Sequence, residues 1–204
     1  MSPINRYPEY VAVDKRFLSE LPRGWGVSRL RNLCKIGTGS GDTVNADPEG
    51  EFPFIVRSPT ILRASSFDYD GEAILTVGDG AVGEIFHHVV GRFLAHQRVY
   101  VLSDIRGIDA RFLFHYFSAH FRYMAKDGSA KTTVDSVRRW MLTDMPVPLP
   151  PKSEQRAIAD YLDRETAQID ELIVEQQRLI DLLRERRLAI FDEITSEAVG
   201  ELVK

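Results

Sequence analysis

The glycine-rich segment 78–83 is the first place in this sequence where residue types and spacing could do chemistry. Gly78, Gly80 and Gly83 follow an apolar run in a G-x-G-x-x-G pattern. In a dinucleotide site such glycines let the backbone approach a pyrophosphate at the N-terminus of the next helix. Residues 84–90, Glu-Ile-Phe-His-His-Val-Val, are typical of a strand instead. The pattern therefore favours a hairpin turn over a nucleotide site.

Histidines and the single cysteine could suggest a metal site. His87 and His88 are adjacent in a predicted strand and point to opposite faces, while His115 and His120 diverge around a predicted helix. One cysteine, Cys34, excludes an internal disulfide and a cysteine-clustered zinc site. No metal site is predicted, and Cys34 is expected to be a small core residue. No nucleophile, base and orienting group form a recognisable arrangement either, so we expect a non-catalytic chain.

Polar and basic loops are the remaining candidates, and each could reach a base edge or a phosphate. Arginine and lysine recognise guanine edges, while serine and threonine hydroxyls and glycine amides suit phosphates. The candidate DNA-binding residues are Thr38, Ser40, Arg57, Ser58, Arg63, Lys131 and Thr132. Residues 38–42, Thr-Gly-Ser-Gly-Asp, are expected to be flexible. Any one of these loops could be an ordinary solvated loop, and only their recurrence in one domain carries the hypothesis. The weaker candidates are Asn45, Arg92, Arg98, Arg138 and Arg139.

The charge balance limits how such a surface could work. The chain has a formal net charge of −4. Residues 1–150 carry 18 basic and 17 acidic residues, and residues 151–204 carry 8 and 13. This is not the strongly basic signature of a protein that binds DNA mainly through phosphates. Contacts to DNA would have to come from local basic clusters, with a partner supplying further positive surface.

The front of the chain is predicted to be a strand-rich mixed α/β domain. Short β-branched and aromatic runs bounded by Gly, Pro, Asp and Ser predict strands at 52–56, 73–77, 84–90 and 97–102. Apolar residues at helical spacing predict an amphipathic helix over 109–124, with Leu113, Phe117, Phe121 and Met124 facing inward. A second short helix is expected over 134–140. The predicted fold class is α+β, ending in a long coiled-coil-type helix.

A proline-rich segment that cannot be helical is followed directly by a strong helix-start signal near residue 150. Prolines at 146, 148, 150 and 151 exclude helix and central strand, so this segment is predicted to be an extended hinge. Ser153 is the expected N-cap, and Glu154 suits the helix dipole in the first turn. The predicted helix covers 153–197, about 65 Å at about 1.5 Å per residue. The predicted domains are 1–150 and 151–204.

The predicted helix has apolar residues at heptad spacing, a pattern that predicts packing against a partner helix. One seam position holds Leu162, Ile169, Leu183 and Ile190, and the other holds Ile158, Leu172 and Leu179. Ile173, Ile180 and Ile194 widen the stripe, and Glu165, Gln176 and Arg186 interrupt it. Folding back into two shorter helices is the alternative, but no Gly or Pro lies between Ser153 and Gly200 to make the turn.

Several of these segments together resemble a known family. The run Pro148-Leu-Pro-Pro-Lys-Ser-Glu-Gln-Arg-Ala-Ile-Ala-Asp-Tyr-Leu-Asp163 is similar to the conserved helical region of the DNA specificity subunit of Type I restriction-modification systems. Thr166-Ala-Gln-Ile-Asp170 and Leu182-Leu-Arg-Glu-Arg-Arg187 extend the match. Upstream landmarks follow in the family's order: Leu21-Pro-Arg-Gly-Trp25, Phe52-Pro-Phe-Ile55, Ala73-Ile-Leu75 and Phe112-Leu-Phe114. The resemblance spans nearly the whole chain.

The resemblance implies a target-recognition domain joined to a spacer helix. In that family a specificity subunit normally has two recognition domains separated by two antiparallel helices, and each domain reads one part of a split target. It recruits modification subunits, which use S-adenosylmethionine to methylate adenine, and restriction subunits, which use ATP and Mg²⁺ to translocate and cleave DNA. This chain has one domain and one helix, so it resembles half of such a subunit. It lacks the Asn/Asp-Pro-Pro-Tyr/Phe motif of an adenine methyltransferase, and no cofactor is expected in it.

A lone helix of this length would expose its seam, so we expect a homodimer. An antiparallel second copy buries both seams and makes an inverted repeat the preferred DNA target. The chain lacks a membrane-length apolar run and a signal-peptide core, which predicts a soluble, cytoplasmic protein. Two rival functions remain open at this point: a protein-assembly adaptor that uses the heptad helix without binding DNA, and a nucleotide-binding enzyme built on the glycine motif.

Overall fold

A computed structural model of the chain describes residues 7–125 and 136–202. It divides into two compact units, Met1–Ala159 and Asp160–Lys204. The first unit contains three sheets and two helices, and it also contains the first two turns of a third, much longer helix that forms the second unit. The α+β class predicted from the sequence, a strand-rich domain followed by a long helix, is confirmed.

Ten strands and three α-helices lie within the described residues. Two small sheets pair β1 (Tyr10–Lys15) with β2 (Leu18–Pro22), and β3 (Gly26–Arg29) with β10 (Pro146–Leu149). The main sheet has the order β4-β9-β7-β8-β5-β6, and all its pairs are antiparallel except β5 with β8. Its strands are β4 (Lys35–Thr38), β5 (Phe52–Ile55), β6 (Leu62–Ala64), β7 (Tyr69–Val77), β8 (Phe86–Ala95) and β9 (Val99–Ser103). The helices are α1 (Ala110–Ala125), α2 (Arg139–Thr143) and α3 (Lys152–Leu202).

The four predicted strands are confirmed, but β7 and β8 are longer than the sequence suggested. Both strands continue through a glycine, Gly71 or Gly91, and these two glycines lie opposite each other in the ladder. Their φ angles are +135° and +102°, which residues with a Cβ rarely adopt. A glycine reads as a strand end in sequence, whereas here the ladder continues in register through both glycines.

The core lies between the main sheet and α1. Leu113, Phe117, Phe121 and Met124 are fully buried, as the helical spacing predicted. They pack in one cluster with sheet residues such as Ile74. Cys34 joins this cluster, and burial raises the pKa of its thiol to about 12, which makes it a core residue without thiolate character.

The second predicted helix, at 134–140, is wrong in position. Residues 126–135 lie outside the described part of the chain, and residues 136–138 are not helical. Ser136 forms a bridge with Asp79, and the Val137 amide donates to the Gly78 carbonyl at 2.8 Å. These backbone contacts to the β7–β8 turn take the donors that a helix would need, so α2 begins only at Arg139.

The proline segment is extended, as predicted, but it belongs to the domain and is not a free hinge. β10 pairs with β3, and its first three residues are buried. The Met145 carbonyl accepts a hydrogen bond from the Leu30 amide. The backbone groups of Met145 and of every second residue after it therefore point towards β3. Pro146 therefore points the other way, where its carbonyl accepts from the Tyr116 hydroxyl at 2.9 Å. A strand can hold prolines at such outward positions because no ladder donor is needed there.

The long helix begins one residue earlier than expected. α3 starts at Lys152, and the Pro151 carbonyl accepts from the amides of Glu154 and Gln155. Ser153 is therefore a first-turn residue and not the N-cap, because the Pro151 carbonyl already accepts the first helical hydrogen bonds. The Glu154 carboxylate accepts from the Trp25 indole N–H at 3.0 Å and from the Tyr7 hydroxyl. Two segments of the family resemblance thus meet in space.

Gln155 ties the helix start to two other elements. Its side chain is 2% exposed. The amide nitrogen donates to the Pro150 carbonyl at 2.8 Å, and the amide oxygen accepts from the Asp109 backbone N–H at 2.7 Å. The Asp109 carboxylate in turn accepts from the Phe112 amide in the first turn of α1. With Ala159 also fully buried, the compact unit extends past the predicted boundary at residue 150.

Beyond Ala159, α3 continues without interruption. The helix has 51 residues and would be about 76 Å long at about 1.5 Å per residue. The alternative of two shorter helices that fold back is excluded by this continuity. None of the helices, over the residues described, is long and apolar enough to cross a membrane.

We predict that Gln155→Ala lowers the free energy of unfolding by about 1–3 kcal/mol, because it leaves a buried carbonyl and a buried amide without partners. Gln168→Ala is the matched control, since Gln168 is an exposed glutamine of the same helix. Its expected effect is below about 0.5 kcal/mol. Urea titration followed by circular dichroism measures both changes. Equal unfolding free energies for the two variants would contradict the role given to Gln155.

Candidate functional site

Two exposed arginines meet on one aspartate where the loops of the main sheet converge. Arg57 Nη1 lies 2.7 Å from one carboxylate oxygen of Asp79, and Arg98 Nη1 lies 3.1 Å from the other. His96 and Asp42 lie beside them, with 3.8 Å between His96 Nε2 and Asp42 Oδ1. We call Arg57, Asp79, Arg98, His96 and Asp42 the Asp79 cluster.

Four separate loops position this cluster. Arg57 follows β5, Asp79 lies in the β7–β8 turn, Arg98 and His96 form the β8–β9 turn, and Asp42 follows β4. Backbone hydrogen bonds lock the loops together. The Gly78 amide donates to Arg98 O at 2.7 Å, the His96 amide to Ile55 O at 2.9 Å and the Gln97 amide to Gly41 O at 2.8 Å. The cluster is therefore a fixed feature of the sheet end.

The geometry leaves the arginines accessible while their partner is covered. The side chains of Arg57 and Arg98 are 45% and 58% exposed, whereas that of Asp79 is 21% exposed. The hydrogen bond from Arg57 is the main reason that the pKa of Asp79 lies below its ordinary value. One carboxylate thus orients two guanidinium groups, and the three side chains together carry one net positive charge.

His96 is the buried member of the cluster. Its Nδ1 accepts a hydrogen bond from the Arg98 amide at 3.1 Å, so in the neutral ring the proton sits on Nε2. Burial, followed by the positive charge of Arg57, lowers the pKa of His96 below its ordinary value. Asp42 acts in the opposite direction and raises it.

The structure brings together only part of the predicted DNA-binding set. Arg57 belongs to the Asp79 cluster, and Ser58 adjoins it, with its hydroxyl donating to Thr60 O and its carbonyl 3.1 Å from His87 Nε2. Arg63 lies on β6, where its guanidinium donates to the carbonyls of Gly50 and Glu51 at 2.8 Å each. That guanidinium holds the preceding loop in place. Lys131 and Thr132 lie outside the described residues.

The predicted loop 38–42 is packed, contrary to the flexibility expected from its glycines. A Cβ on Gly39 would lie 1.9 Å from the Ala95 carbonyl oxygen, and one on Gly41 would lie 2.9 Å from the Phe54 ring. These glycines are needed for close backbone approach. Thr38 is exposed at the end of β4, with its carbonyl accepting from the Tyr69 hydroxyl. Ser40 donates its amide and hydroxyl to Asp68 at 2.8 and 3.1 Å.

Of the weaker candidates, Arg98 alone joins the Asp79 cluster. Asn45 caps its own turn with Asp42, Arg92 pairs with Asp70 and lies over the Phe67 ring, and Arg139 donates to Ile36 O. Asp79 and His96 are not among the residues predicted from the sequence. Asp79 is the only acidic residue inside the glycine-rich turn, which is the one signal that could have drawn attention to it.

The glycine motif itself forms the turn between β7 and β8, with Gly80 and Gly83 at positive φ. A strand follows it, so the helix that a pyrophosphate site requires is not there, and the nucleotide-enzyme alternative loses its basis. Within the described ranges, no three His, Cys, Asp or Glu residues come together as a metal site would require.

A second candidate surface lies on α3. The predicted partner-helix residues between 169 and 190 are about half exposed: Ile169, Leu172, Leu179, Leu183 and Ile190. Ile173, Ile180 and Ile194 are exposed to a similar degree. Ile158 and Leu162, nearer the helix start, are half-buried. Contiguous exposed apolar surface is a mark of interaction sites, which makes this stripe a candidate one.

Comparisons with known proteins agree with these features. The family model described as the Type I restriction modification DNA specificity domain matches residues 22–180. The EcoDI specificity subunit of Escherichia coli, a Type I restriction enzyme component, is 30% identical over 91% of this chain and 40% of its own length. A putative Type I restriction enzyme specificity subunit of Haemophilus influenzae is 31% identical over 58% of the chain and 31% of its own length. The chain thus spans less than half of each relative.

Solved structures of the same kind share the fold. The S subunit of a Type I restriction-modification system from M. genitalium superposes with a TM-score of 0.59 at 19% identity, covering 73% of this chain and 41% of that one. The HsdS subunit from Thermoanaerobacter tengcongensis gives 0.53 at 21% identity, over 74% and 40%.

We predict that His96 titrates below the ordinary histidine pKa of about 6.5 and that Arg57→Ala moves its pKa upward, because a nearby positive charge is removed. The lowered folded-state pKa means that the unfolded chain binds this proton more readily. The stabilising contribution is thus fully present above about pH 6.5 and is lost as the pH falls towards the folded-state pKa. NMR titration of the imidazole measures the shift. Arg92→Ala is the control, and a His96 pKa at or above 6.5 in the wild type would contradict the prediction.

Proposed function

This chain belongs to the Type I restriction-modification DNA specificity family, and from that premise we propose that it recognises a specific sequence in double-stranded DNA. The chain selects the site, and partner subunits do the chemistry: modification subunits methylate adenine with S-adenosylmethionine, and restriction subunits cleave DNA with ATP and Mg²⁺. The chain spans about 40% of its Escherichia coli relative.

The observation that carries this proposal is the pair of arginines on Asp79. Arginine presents a planar fork of donors that matches the O6 and N7 edge of guanine or the oxygens of a phosphate. Arg57 and Arg98 are held in place by one carboxylate, so little side-chain freedom would be lost on binding. Because the loops around them are joined by backbone hydrogen bonds, the two guanidinium groups are presented from a rigid edge.

The predicted residues Lys131 and Thr132 remain part of this proposal. Ser136, close behind them in sequence, forms a β-bridge with Asp79. Thr38, Ser40 and Ser58 contribute hydroxyl or amide donors at the neighbouring loop ends, where phosphate oxygens are suitable acceptors.

The charge of the chain sets a limit on this interface. Residues 1–150 have nearly equal numbers of basic and acidic residues. Non-specific affinity for DNA grows with the number of phosphates that are neutralised, so one such domain binds weakly by this route. We infer that the modification subunit supplies additional positive surface and that specificity comes from a few well-placed contacts in this chain.

A homodimer through α3 completes the proposal. The seam formed by Ile158, Leu162, Ile169, Leu172, Leu179, Leu183 and Ile190 meets the same seam of a second, antiparallel copy. Two recognition domains related by a two-fold axis then read an inverted repeat, with a spacer set by the helix. This restores the two-domain organisation that the family resemblance implies.

We predict that Arg57→Ala and Arg98→Ala each weaken DNA binding by the complex with the modification subunit, without unfolding the domain. A base-reading arginine would cost about 1–3 kcal/mol and relax one position of the target. Loss of a phosphate contact would instead weaken binding to all sequences alike and reduce the slope of log affinity against log salt concentration by about one. Fluorescence anisotropy over a salt series, with target and scrambled duplexes, separates these cases.

The control for this experiment is Arg23→Ala, because Arg23 is an exposed arginine that pairs with Glu9 away from the cluster. Wild-type affinity and specificity in both Arg57→Ala and Arg98→Ala would exclude the Asp79 cluster as the DNA-reading surface.

We predict that the wild type is a dimer at micromolar concentration and that the double variant Leu172→Asp/Leu179→Asp is a monomer, because two charges would have to be buried in the seam. Val174→Asp/Leu188→Asp is the matched control. Val174 and Leu188 are also exposed and apolar, but they lie off the stripe. Sedimentation equilibrium gives the mass of each. A wild type that stays monomeric with and without the modification subunit would exclude the homodimer.

A further inference from the structure

The stripe on α3 consists of three rows of residues at heptad spacing. The central row contains Leu162, Ile169, Gln176, Leu183 and Ile190. One flanking row contains Ile158, Glu165, Leu172, Leu179 and Arg186, and the other contains Thr166, Ile173, Ile180, Arg187 and Ile194. The rows lie side by side on a helix of 3.6 residues per turn and together cover about a third of its circumference.

The polar residues of the stripe are arranged symmetrically about Gln176. Glu165 and Arg187 lie the same number of residues before and after it, on opposite flanking rows, and they carry opposite charges. Thr166 and Arg186 are related in the same way. Every other position of the central row and its neighbours between 162 and 190 is apolar and has an apolar counterpart.

We propose that a second copy of this chain pairs with α3 in an antiparallel register whose two-fold axis passes through Gln176. This proposal rests on the homodimer of the proposed function and fixes which residues meet. A two-fold axis at Gln176 sets residues equally far before and after it at the same level on the two helices. Glu165 then faces Arg187 of the partner subunit, twice in each dimer, and Gln176 meets Gln176 of the partner subunit on the axis.

Charge excludes the parallel alternative. In a parallel pair each residue faces its own copy, so Glu165 would face a second glutamate and Arg187 a second arginine. Like charges opposed in a desolvated seam cost several kcal/mol. Antiparallel pairing turns the same four side chains into two attractive pairs.

The positions of the polar residues also exclude a shifted antiparallel register. Moving one copy by a heptad sets Glu165 against Ile180 or Ile194, and Gln176 against Ile169 or Leu183. Each shift thus buries a charge or an amide against an aliphatic side chain, which is costly because the polar group loses water and gains no partner. Only the axis at Gln176 gives every polar position a polar counterpart.

Contacts within the helix leave the two charged residues available for this pairing. The Asp181 carboxylate, on another face of the helix, accepts hydrogen bonds from Arg184 and from Gln177, each at 3.2 Å. Over the part of the chain that the structure describes, neither Glu165 nor Arg187 has an ion-pair partner. A polar amide at the centre of an apolar seam is also a common device for fixing register, since two glutamines can satisfy each other's donors and acceptors.

Charge reversal tests this register directly. Glu165→Arg alone should raise the dimer dissociation constant by at least about tenfold, because each dimer gains two arginine–arginine contacts. Arg187→Glu alone should do the same through two glutamate–glutamate contacts. An equimolar mixture of the two variants should form heterodimers with wild-type affinity, since both cross-pairs are then attractive. Sedimentation velocity gives the affinities, and native mass spectrometry of one isotope-labelled variant counts the heterodimers.

The matched control uses charges on the polar face of the same helix. Glu171→Arg and Arg178→Glu alter the same residue types off the stripe, and neither should change the dissociation constant or favour heterodimers. Circular dichroism of each variant verifies that the helix is retained.

The possible outcomes separate this register from the wider proposal. A dimeric wild type whose affinity is unchanged by Glu165→Arg overturns the register and leaves the homodimer standing. A wild type that is monomeric, alone and with the modification subunit, overturns both the register and the homodimer. Neither result touches DNA recognition, which is measured independently with the arginine variants of the Asp79 cluster.

Discussion

The buried side chain of Gln155 is the contact on which the arrangement of the first unit depends. Its side-chain amide donates a hydrogen bond to the Pro150 carbonyl, just after β10, and accepts one from the Asp109 backbone amide, at the start of α1. The neighbouring Glu154 carboxylate accepts a hydrogen bond from the Trp25 indole. Three segments far apart in sequence, around residues 25, 109 and 150–155, are therefore joined within one helical turn. Both hydrogen-bonding ends of a buried amide are satisfied here, and leaving either unpaired would cost more than the bond itself contributes. Glu154 and Gln155, both in the segment that carries the family resemblance, thus have a structural role in this chain.

The same principle of fully satisfied polar groups governs the proposed DNA-reading edge. Its loops contain Gly39 and Gly41, whose missing Cβ atoms allow backbone contact with the end of β8. Hydrogen bonds between those backbones bring Arg57, Asp79 and Arg98 together from distant parts of the sequence. Asp79 reduces the net positive charge of the cluster, which weakens long-range attraction to DNA. In exchange the two guanidinium groups are oriented before a ligand arrives, and orientation favours specificity over non-specific affinity.

What the sequence could and could not predict follows from the range of the interactions. The buried face of α1, the four strands and the α3 stripe were predictable because periodicity and turn residues are local signals. The Asp79 cluster was not, because Arg57 and Arg98 become neighbours only when the β7–β8 turn lies between them. Residues 38–42 looked flexible because small polar residues occur both in mobile loops and at close backbone contacts. Ser153 had the chemistry of an N-cap, but the helix starts at Lys152, and the Pro151 carbonyl accepts its first hydrogen bonds.

The two proposed surfaces depend on each other through the weak charge of a single recognition domain. A domain with nearly balanced charges gains little from phosphate neutralisation, so one copy would discriminate sequences without holding them tightly. In the proposed homodimer the second binding event would be intramolecular, and the helix geometry would set the effective concentration of the second domain. Affinity can rise by orders of magnitude with no new contact to DNA, provided that the two half-sites have the spacing that the register dictates. A polar pattern that fixes the axis at Gln176 would therefore contribute to DNA specificity although it never touches the DNA.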